Sequence, residues 1–353
     1  MEQTSHTFAF TPASAWGRCL ADFLQSIYQR SESRHTSKQY RAHLYAFLSS
    51  SAHDGPPKLP DLYTREDVEF FLHRTTHGKR KSGTLPGNAT INYRLAVLSS
   101  FYTFAATYTI EGPDGRPEPL LKRPSPTIGI VRGKTSHIYK AMSFEEVKRF
   151  FDVIPRDSVR GLRDRAIFLV YFWTARRLNE IARLRWGHIE RSIIVEKEGS
   201  MRVGYVYSFY GKGHSQEEDT AELPGPAKAA IDEYLEASGR MATMQADSPL
   251  FIQGVRPNGW LPDGYEKMCL AASSIHRQFK FYARAAGLDY ERLSVHSFRH
   301  TAARVRYENG SDIREIQALL RHSSLQTTDL YLRKLITTAD TGAKRLEAKF
   351  GGL

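Results

Sequence analysis

A segment rich in proline and glycine divides this chain into two parts that must fold separately. Residues 112–141 contain five prolines, and each of them opposes a continuous helix. The same segment carries six basic and two acidic side chains. We therefore predict a basic linker at 112–141, between one domain at 14–111 and a second at 142–335, with a tail at 336–353.

The composition restricts the classes of protein to which the chain can belong. Its 353 residues are 41% hydrophobic, enough for packed cores, and a formal charge of +12 predicts a polyanionic partner. The longest apolar run, at 166–173, has eight residues, whereas a membrane helix needs about 20. No signal-peptide pattern follows Met1, so we expect a cytoplasmic protein, associated with the nucleoid if it is bacterial, and no membrane partner.

Hydrophobic periodicity predicts a fold that is mainly α with a small antiparallel β-sheet. Apolar residues at helical spacing predict four helices in the first domain, starting near residues 16, 36, 65 and 88. In the second domain, β-branched and aromatic residues predict strands at 192–196, 202–210 and 220–223. The remaining helices are expected after residue 143 and at 163–173, 177–186, 226–237, 273–286, 296–309, 312–321 and 326–335. Thr64 with Asp67, and Ser143 with Glu146, have the spacing of capping boxes.

Two basic segments are candidates for contact with nucleic acid. One is the loop at 74–81 and the other lies in the linker. Charge alone leaves open whether such side chains bind a phosphate backbone or are only solvated surface. The candidate DNA-binding residues are Arg74, Lys79, Arg80, Lys81, Arg132 and Lys134. The linker sequence at 129–135 looks like a phosphate-binding loop, but it has three residues between its glycines where that motif needs four, so nucleotide hydrolysis is not expected.

Four residues near the C-terminus form a pattern that none of them would suggest alone. His296 and Arg299 stand three residues apart, which places them on one face of a helix. His322 follows 23 residues after Arg299, and Tyr331 follows nine residues after His322.

This pattern resembles the tyrosine recombinase (phage integrase) family. HSFRHTAA at 296–303 resembles the family's HxxR box, and LLRHSSLQTTDLYL at 319–332 resembles the box that ends in the nucleophilic tyrosine. TARRLNEIARLRW at 174–186 is similar to the segment that carries the first catalytic arginine, which aligns with Arg177, and its acidic companion, which aligns with Glu180. Gly-Lys-Gly at 211–213 resembles the family's lysine turn and selects Lys212.

The chain departs from the family pattern at three positions. Arg321 stands where the family usually has glycine before the second histidine, and Ala175 and Arg176 stand where it has glycine and an aliphatic residue. Two arginines are therefore adjacent. Arg177 is preferred because of its register with Glu180, and Arg176 is the alternative.

The resemblance implies an architecture and a set of partners. It implies an N-terminal four-helix core-binding (SAM-like) domain and a mixed α/β catalytic domain that together clamp double-stranded DNA. It also implies a homo-tetramer on paired sites, with a C-terminal tail that often docks on a neighbouring subunit. No metal and no other cofactor is expected. Integration, excision, dimer resolution and transposition remain open as biological roles, and so does the target sequence.

The chemistry of strand exchange accounts for these residue types. A phosphodiester gains negative charge as its phosphorus becomes five-coordinate, and the guanidinium groups of Arg177 and Arg299 stabilise that state more than the ground state. Attack by Tyr331 gives a covalent 3′-phosphotyrosine that conserves the bond energy without metal or ATP. A tyrosine hydroxyl, with an ordinary pKa of about 10, needs a proton acceptor, for which His296 is the candidate.

Three further residues complete the predicted chemistry. His322 would donate a hydrogen bond to the phosphate, and Lys212 would protonate the departing 5′ oxygen. Glu180 would orient the cluster through hydrogen bonds.

Three other functions compete with this hypothesis. His296 and His300 have the i, i+4 spacing of a zinc pair, but Arg299 between them opposes a cation and no third ligand is evident. A helix-turn-helix regulator without catalysis would explain the charge but not Tyr331 among two arginines, two histidines and a lysine. A type IB topoisomerase-like enzyme shares the chemistry and differs in that it relaxes supercoils without pairing two duplexes.

Overall fold

The computed structural model divides the chain into two compact units, Met1–His137 and Ile138–Leu353. The structure describes residues 10–49, 57–74, 85–135, 140–196, 198–211, 214–254 and 268–335. It confirms the predicted fold class, since helices dominate and the strands form small antiparallel sheets. No helix in the described part of the chain has the length and apolar content of a membrane span.

The described part of the first unit contains the four predicted α-helices. They are α1 (Ala15–Ser31), α2 (Arg34–Leu48), α3 (Arg65–His73) and α4 (Asn88–Thr107). The predicted capping box of Thr64 and Asp67 is present at the start of α3. The second helix starts at Arg34, earlier than a cap at Thr36 would allow, because the Ser33 side chain caps it and accepts a hydrogen bond from the Thr36 amide.

An aromatic core holds the first unit together. Phe23 and Phe101 have ring centroids 5.5 Å apart, and Phe47 and Phe71 are 5.2 Å apart. After α4 the chain forms the antiparallel pair β1 (Thr109–Glu111) and β2 (Pro117–Pro119). Part of the segment predicted as a linker packs on this core, since the side chains that follow β2 are buried in it, namely those of Leu120 and Leu121.

The buried Arg94 guanidinium fixes the end of α3. Its Nη1 group donates to the carbonyls of Phe71, Leu72 and Arg74 at 3.1, 2.8 and 2.7 Å. These are the carbonyls that a helix leaves unpaired at its C-terminus. This side chain of α4 thereby fixes the backbone from the end of α3 to Arg74, the last described residue before the gap.

The second unit combines eight described helices with an antiparallel sheet. The helices are α5 (Phe144–Asp152), α6 (Val159–Thr174), α7 (Leu178–Ala182), α8 (Gly225–Ala237), α9 (Ala272–Ala285), α10 (His296–Glu308), α11 (Ile313–Leu320) and α12 (Leu325–Leu335). The strands β3 (Ile189–Val195), β4 (Met201–Gly211) and β5 (His214–Leu223) pair in the order β3-β4-β5.

Phe150 of α5 is at the centre of the second core. Its ring lies 5.1 Å from that of Phe168 in α6, and 5.0 Å from those of Phe279 in α9 and Phe298 in α10. The predicted capping box of Ser143 and Glu146 starts α5 and so sets the position of this ring. The core therefore fixes α10, which carries the HxxR box, against α6.

The helix predicted at 177–186 is wrong in its second half. Only Leu178–Ala182 is helical. Beyond it, the Leu184 carbonyl accepts from the Leu250 amide at 2.9 Å, and the Trp186 amide donates to Ser248 at 3.0 Å. These long-range bonds replace the intrahelical ones, so the chain leaves the helix and enters β3.

Candidate active site

Two helices of the second unit end inside the segments that resemble the recombinase family. α6 and α11 are each followed by a residue in the left-handed conformation, Ala175 with φ 51° and Arg321 with φ 48°. This conformation stops a helix and turns the chain away from its axis. α10 packs against α6, α11 and α12, so its first turns lie beside both helix ends.

The Arg299 side chain is braced by both of these helix ends. Its Nη1 group donates to the Ala175 carbonyl and its Nη2 group donates to the Leu320 carbonyl. The residue is only 7% exposed, and burial lowers the pKa of Arg299. The protein itself thus fixes the position of this guanidinium, as preorganised catalysis requires.

Arg177 lies at the start of α7 and pairs with Glu180. The Arg177 amide donates to Glu180 Oε2 at 3.0 Å, and its Nη1 group donates to Oε1 at 3.3 Å. The Glu180 side chain is 7% exposed, whereas that of Arg177 is 36% exposed. Glu180 therefore holds a guanidinium that is still accessible at the surface of the cluster.

The adjacent arginine has a different environment. Arg176 is buried, its Nε group donates to the Tyr207 hydroxyl at 2.5 Å, and its guanidinium lies 4.1 Å from the ring centroid of Phe209. These contacts direct it into the packing between α6 and β4. Of the two adjacent arginines, Arg177 is the accessible one, and it stays our proposed catalytic residue.

Tyr331 lies in a small apolar cluster beneath the two helix ends. It is 4% exposed, and its hydroxyl shares a hydrogen bond with Nδ1 of His300. The His322 ring lies 5.4 Å from the Tyr331 ring, and Nδ1 of His322 is 3.1 Å from Oγ1 of Thr328. The candidate nucleophile is therefore placed between two imidazoles.

His296 contacts a different tyrosine. Its Nδ1 atom lies 3.0 Å from the hydroxyl of Tyr171, which is fully buried in α6. Tyr171 thus holds the imidazole at Nδ1, and Nε2 lies on the opposite edge of the ring.

Burial and the two arginines keep the imidazoles of this site neutral. Burial, followed by the charges of Arg299 and Arg177, lowers the pKa of His322 to about 4. Burial, followed by His296 and Arg299, lowers the pKa of His300 to about 3. The pKa of His296 is lowered by the same kinds of cause. At neutral pH the site therefore combines cationic guanidinium groups with uncharged imidazoles.

The structure brings five of the predicted catalytic residues together. Arg177 pairs with Glu180 and also donates to the carbonyl of Arg321, the residue before His322. Arg299 donates to the nearby Leu320 carbonyl, and the ring of His322 lies beside that of Tyr331. His296 joins them from the first turn of α10. Lys212 follows the last residue of β4 in the sequence and lies outside the described residues.

Two residues with direct contacts to this site were missed by sequence reasoning. His300 was considered only as half of a zinc pair, although its place next to Arg299 put it on the active helix. Tyr171 was given no role of its own within the apolar run at 166–173, and its hydroxyl within that run was the available signal.

The candidate DNA-binding residues are partly described. Arg74, Arg132 and Lys134 are exposed in the first unit, and the Lys134 carbonyl is held by the Asn88 side chain at 2.8 Å. Three further candidates, Lys79, Arg80 and Lys81, lie outside the described residues.

A cleft borders the candidate site within the second unit. Its volume is about 1100 Å³, and Arg177 and His322 contribute to its lining together with Arg306, Arg314 and Arg321. The cationic lining suits an anionic ligand. No cluster of three or more histidine, cysteine, aspartate or glutamate side chains suited to a metal ion occurs among the described residues.

Comparison with known proteins agrees with this geometry. The model of the phage integrase family matches residues 140–337, more than half of the chain. The chain belongs to this family. One similar member is the tyrosine recombinase XerA of Pyrococcus furiosus, 36% identical over 217 residues, which are 60% of this chain and 65% of that protein. Another is XerC of Myxococcus xanthus, 29% identical over 308 residues, which are 83% of this chain and 91% of that protein.

Solved structures of phage integrase family members share the fold. XerH bound to a palindromic difH substrate, in a post-cleavage complex, matches with a TM-score of 0.60 and 15% identity over 96% of this chain and 95% of that one. A lambda integrase tetramer bound to a Holliday junction matches with a TM-score of 0.59 and 14% identity over 92% of this chain and 79% of that one. At these identities the likeness concerns the fold.

Proposed function

We propose that this protein is a site-specific DNA recombinase that cleaves and rejoins strands through a covalent 3′-phosphotyrosine at Tyr331. One observation carries the proposal. The hydroxyl of Tyr331 lies in a cluster with Arg177, Arg299 and neutral imidazoles, at helix ends that hold both guanidinium groups in place. The family to which the chain belongs supports the same activity.

The chemistry follows from the charges of this cluster. Arg177 and Arg299 would bind the nonbridging oxygens of the scissile phosphate, and His322 would donate a further hydrogen bond. Fixed donors stabilise the extra charge of the five-coordinate state without reorganisation, and each is typically worth about 10²–10³-fold in rate. As the bond from Tyr331 to phosphorus forms, the tyrosine proton passes to a neighbouring imidazole.

The leaving group requires an acid. We assign this role to Lys212, because its sequence resembles the family's lysine segment and an ammonium can protonate a 5′ alkoxide as its bond to phosphorus breaks. The free 5′ hydroxyl then attacks the phosphotyrosine in the reverse reaction. The bond energy is retained throughout, so neither ATP nor a metal ion is needed.

The proposed partner is double-stranded DNA. The net charge of +12 favours it, and Arg74, Arg132 and Lys134 are exposed for contact with the phosphate backbone. We also propose Lys79, Arg80 and Lys81 as DNA-binding residues, because they belong to the same basic stretch of sequence as Arg74.

We also propose a homo-tetramer on two paired duplexes. The similar lambda integrase structure is a tetramer on a Holliday junction, which supports this assembly. The tail at 336–353 would dock on a neighbouring subunit. Deletion of the residues after Lys334 should impair recombination more than folding, and unchanged recombination would contradict the docking role.

The decisive experiment traps the covalent intermediate. The full-length protein is incubated with a pool of nicked duplexes that have a randomised core, and DNA bound covalently to protein is recovered and sequenced. We expect an adduct that resists denaturant, and Tyr331→Phe should still bind DNA without forming it. An adduct formed equally by Tyr331→Phe would refute the assignment of the nucleophile.

The same experiment separates the competing functions. A regulator without catalysis gives no adduct from any duplex in the pool. A type IB topoisomerase-like enzyme gives an adduct but no recombinant junctions when two selected duplexes are mixed. Recombinant junctions therefore decide for the recombinase.

A further inference from the structure

Two histidines one helical turn apart on α10 each meet a tyrosine hydroxyl. Nδ1 of His296 lies 3.0 Å from Oη of Tyr171, and Nδ1 of His300 shares a hydrogen bond with Oη of Tyr331. An imidazole can donate or accept through Nδ1, and the choice decides which ring nitrogen carries the proton. The direction of the first bond therefore determines what His296 can do at the phosphate.

The surroundings of Tyr171 set that direction. The residue is fully buried, and its hydroxyl has no other hydrogen-bond partner among the residues that the structure describes. If Nδ1 of His296 carried the proton and donated it, the phenolic hydrogen would be left buried without an acceptor. Buried donors of this kind are avoided in folded proteins.

The protonation of Tyr171 agrees with this direction. Burial raises the pKa of Tyr171, so the phenol keeps its hydrogen at any working pH. Burial, followed by the charge of Arg299, lowers the pKa of His296, so this imidazole is neutral and has one lone pair to offer. A protonated phenol beside a neutral imidazole donates to it.

We propose that Tyr171 is a positioning residue that fixes His296 in the tautomer with its proton on Nε2, so that His296 donates a hydrogen bond to the scissile phosphate. The inference rests on the proposed function for the identity of that phosphate, but not for the tautomer. It changes the role that the sequence suggested for His296. A ring whose Nε2 carries a proton cannot accept one from Tyr331 at that atom.

The proton acceptor for Tyr331 then lies elsewhere on the same helix. His300 is the imidazole in direct contact with the Tyr331 hydroxyl. The two histidines of α10 thus have different roles. His296 donates a hydrogen bond to the phosphate, and His300 accepts the proton of Tyr331.

The tautomer can be measured without DNA. The full-length protein is labelled with ¹⁵N-histidine, and the His296 signals are assigned by their loss in His296→Gln. We expect a protonated Nε2 and an unprotonated Nδ1 in the parent protein, and a mixture of both tautomers in Tyr171→Phe. A proton on Nδ1 in the parent protein overturns the proposal, whether or not Tyr171→Phe folds.

A matched variant controls for the loss of a buried hydroxyl. Tyr282→Phe also removes a buried hydroxyl of the second unit, one that donates to Asp164 at 2.9 Å. It should leave the His296 signals unchanged. An equal disturbance of those signals by both variants would show a general packing effect and would overturn the positioning role.

Cleavage of the selected nicked duplex gives an independent readout. Glutamine can donate a hydrogen bond but cannot take up a proton, so His296→Gln should retain more activity than His296→Ala, which should lose about 10²-fold or more. Tyr171→Phe should lose about fivefold, the value of one net hydrogen bond. Equal inactivity of His296→Gln and His296→Ala would restore His296 as the proton acceptor. Absence of any adduct from the parent protein would refute the proposed function and leave the tautomer result standing.

Discussion

Acid should destabilise the second unit through His300, and the structure gives the size of the effect. The folded protein holds the pKa of His300 at about 3 because the side chain is buried beside His296 and Arg299. The unfolded chain restores a pKa of about 6.5, so it binds a proton that the folded protein rejects. Stability is therefore lost as the pH falls from about 6.5 towards about 3. Between pH 7 and pH 5, this one group lowers the free energy of unfolding by about 2 kcal/mol.

The variant His300→Gln isolates this contribution. Glutamine does not titrate, so the loss of stability between pH 7 and pH 5 should be about 2 kcal/mol smaller than in the parent protein. His300 is neutral in the folded protein at both pH values, so its replacement does not change the charge around His296. The measurement compares the pH dependence of the parent protein with that of the variant. Any effect of the substitution that is the same at pH 7 and pH 5 therefore cancels.

Hydrogen exchange measured by mass spectrometry across a urea series follows the two units separately. Peptides from α10 report the unfolding of the second unit, and peptides from α4 report that of the first and serve as an internal control. If the two pH dependences differ by less than about 0.5 kcal/mol, within ordinary non-additivity, His300 is not held neutral and our account of its burial is wrong.

Three further predictions concern arginines and lysines in different surroundings. Arg177→Ala should slow adduct formation by about 10²–10³-fold with little loss of stability, whereas Arg176→Ala should lower the free energy of unfolding by about 2 kcal/mol. Arg94→Leu should destabilise the first unit by about 3 kcal/mol, because three carbonyls at the end of α3, two of them in buried hydrogen bonds, lose one donor group. Arg132→Ala and Lys134→Ala should each reduce the salt dependence of DNA binding by about one counterion.

Each of these predictions has its own control. Arg65→Leu removes an exposed ion pair with Glu69 and should cost less than about 1 kcal/mol, in contrast to Arg94→Leu. A catalytic defect in Arg176→Ala with normal stability would mean that the register of the first arginine is off by one residue. An unchanged salt slope in Arg132→Ala and Lys134→Ala, measured by titration of a random duplex at several salt concentrations, would exclude both side chains from the DNA contact.

Local features of this fold could be predicted from the sequence, and long-range ones could not. The boxes at Thr64 and Ser143 were predicted correctly because each pair of capping partners lies three residues apart. The helix after Arg177 was predicted too long, because backbone hydrogen bonds to residues 246–250 replace its second half. No local pattern between Leu184 and Trp186 indicates these long-range bonds.

The candidate site divides in the same way. The spacing of His296, Arg299 and Tyr331 made them candidates, since family boxes are local patterns. The contacts of the site join residues that are remote in sequence. Tyr171 is 125 positions from His296, and His300 is 31 positions from Tyr331. Only the packing of α6 and α12 on α10 brings these pairs together.

The brace around Arg299 has a consequence for how this chain can change over generations. What the guanidinium grips at both helix ends is main-chain oxygen, which every amino acid supplies. The brace therefore depends on the left-handed turns at Ala175 and Arg321 and not on a particular side chain at 175 or 320, although Ala175 and Leu320 are buried and must fit the apolar cluster around them. A non-glycine residue in such a turn costs about 1 kcal/mol. Arg299 itself cannot be replaced in this way, because the same guanidinium makes the two bracing hydrogen bonds and carries the positive charge.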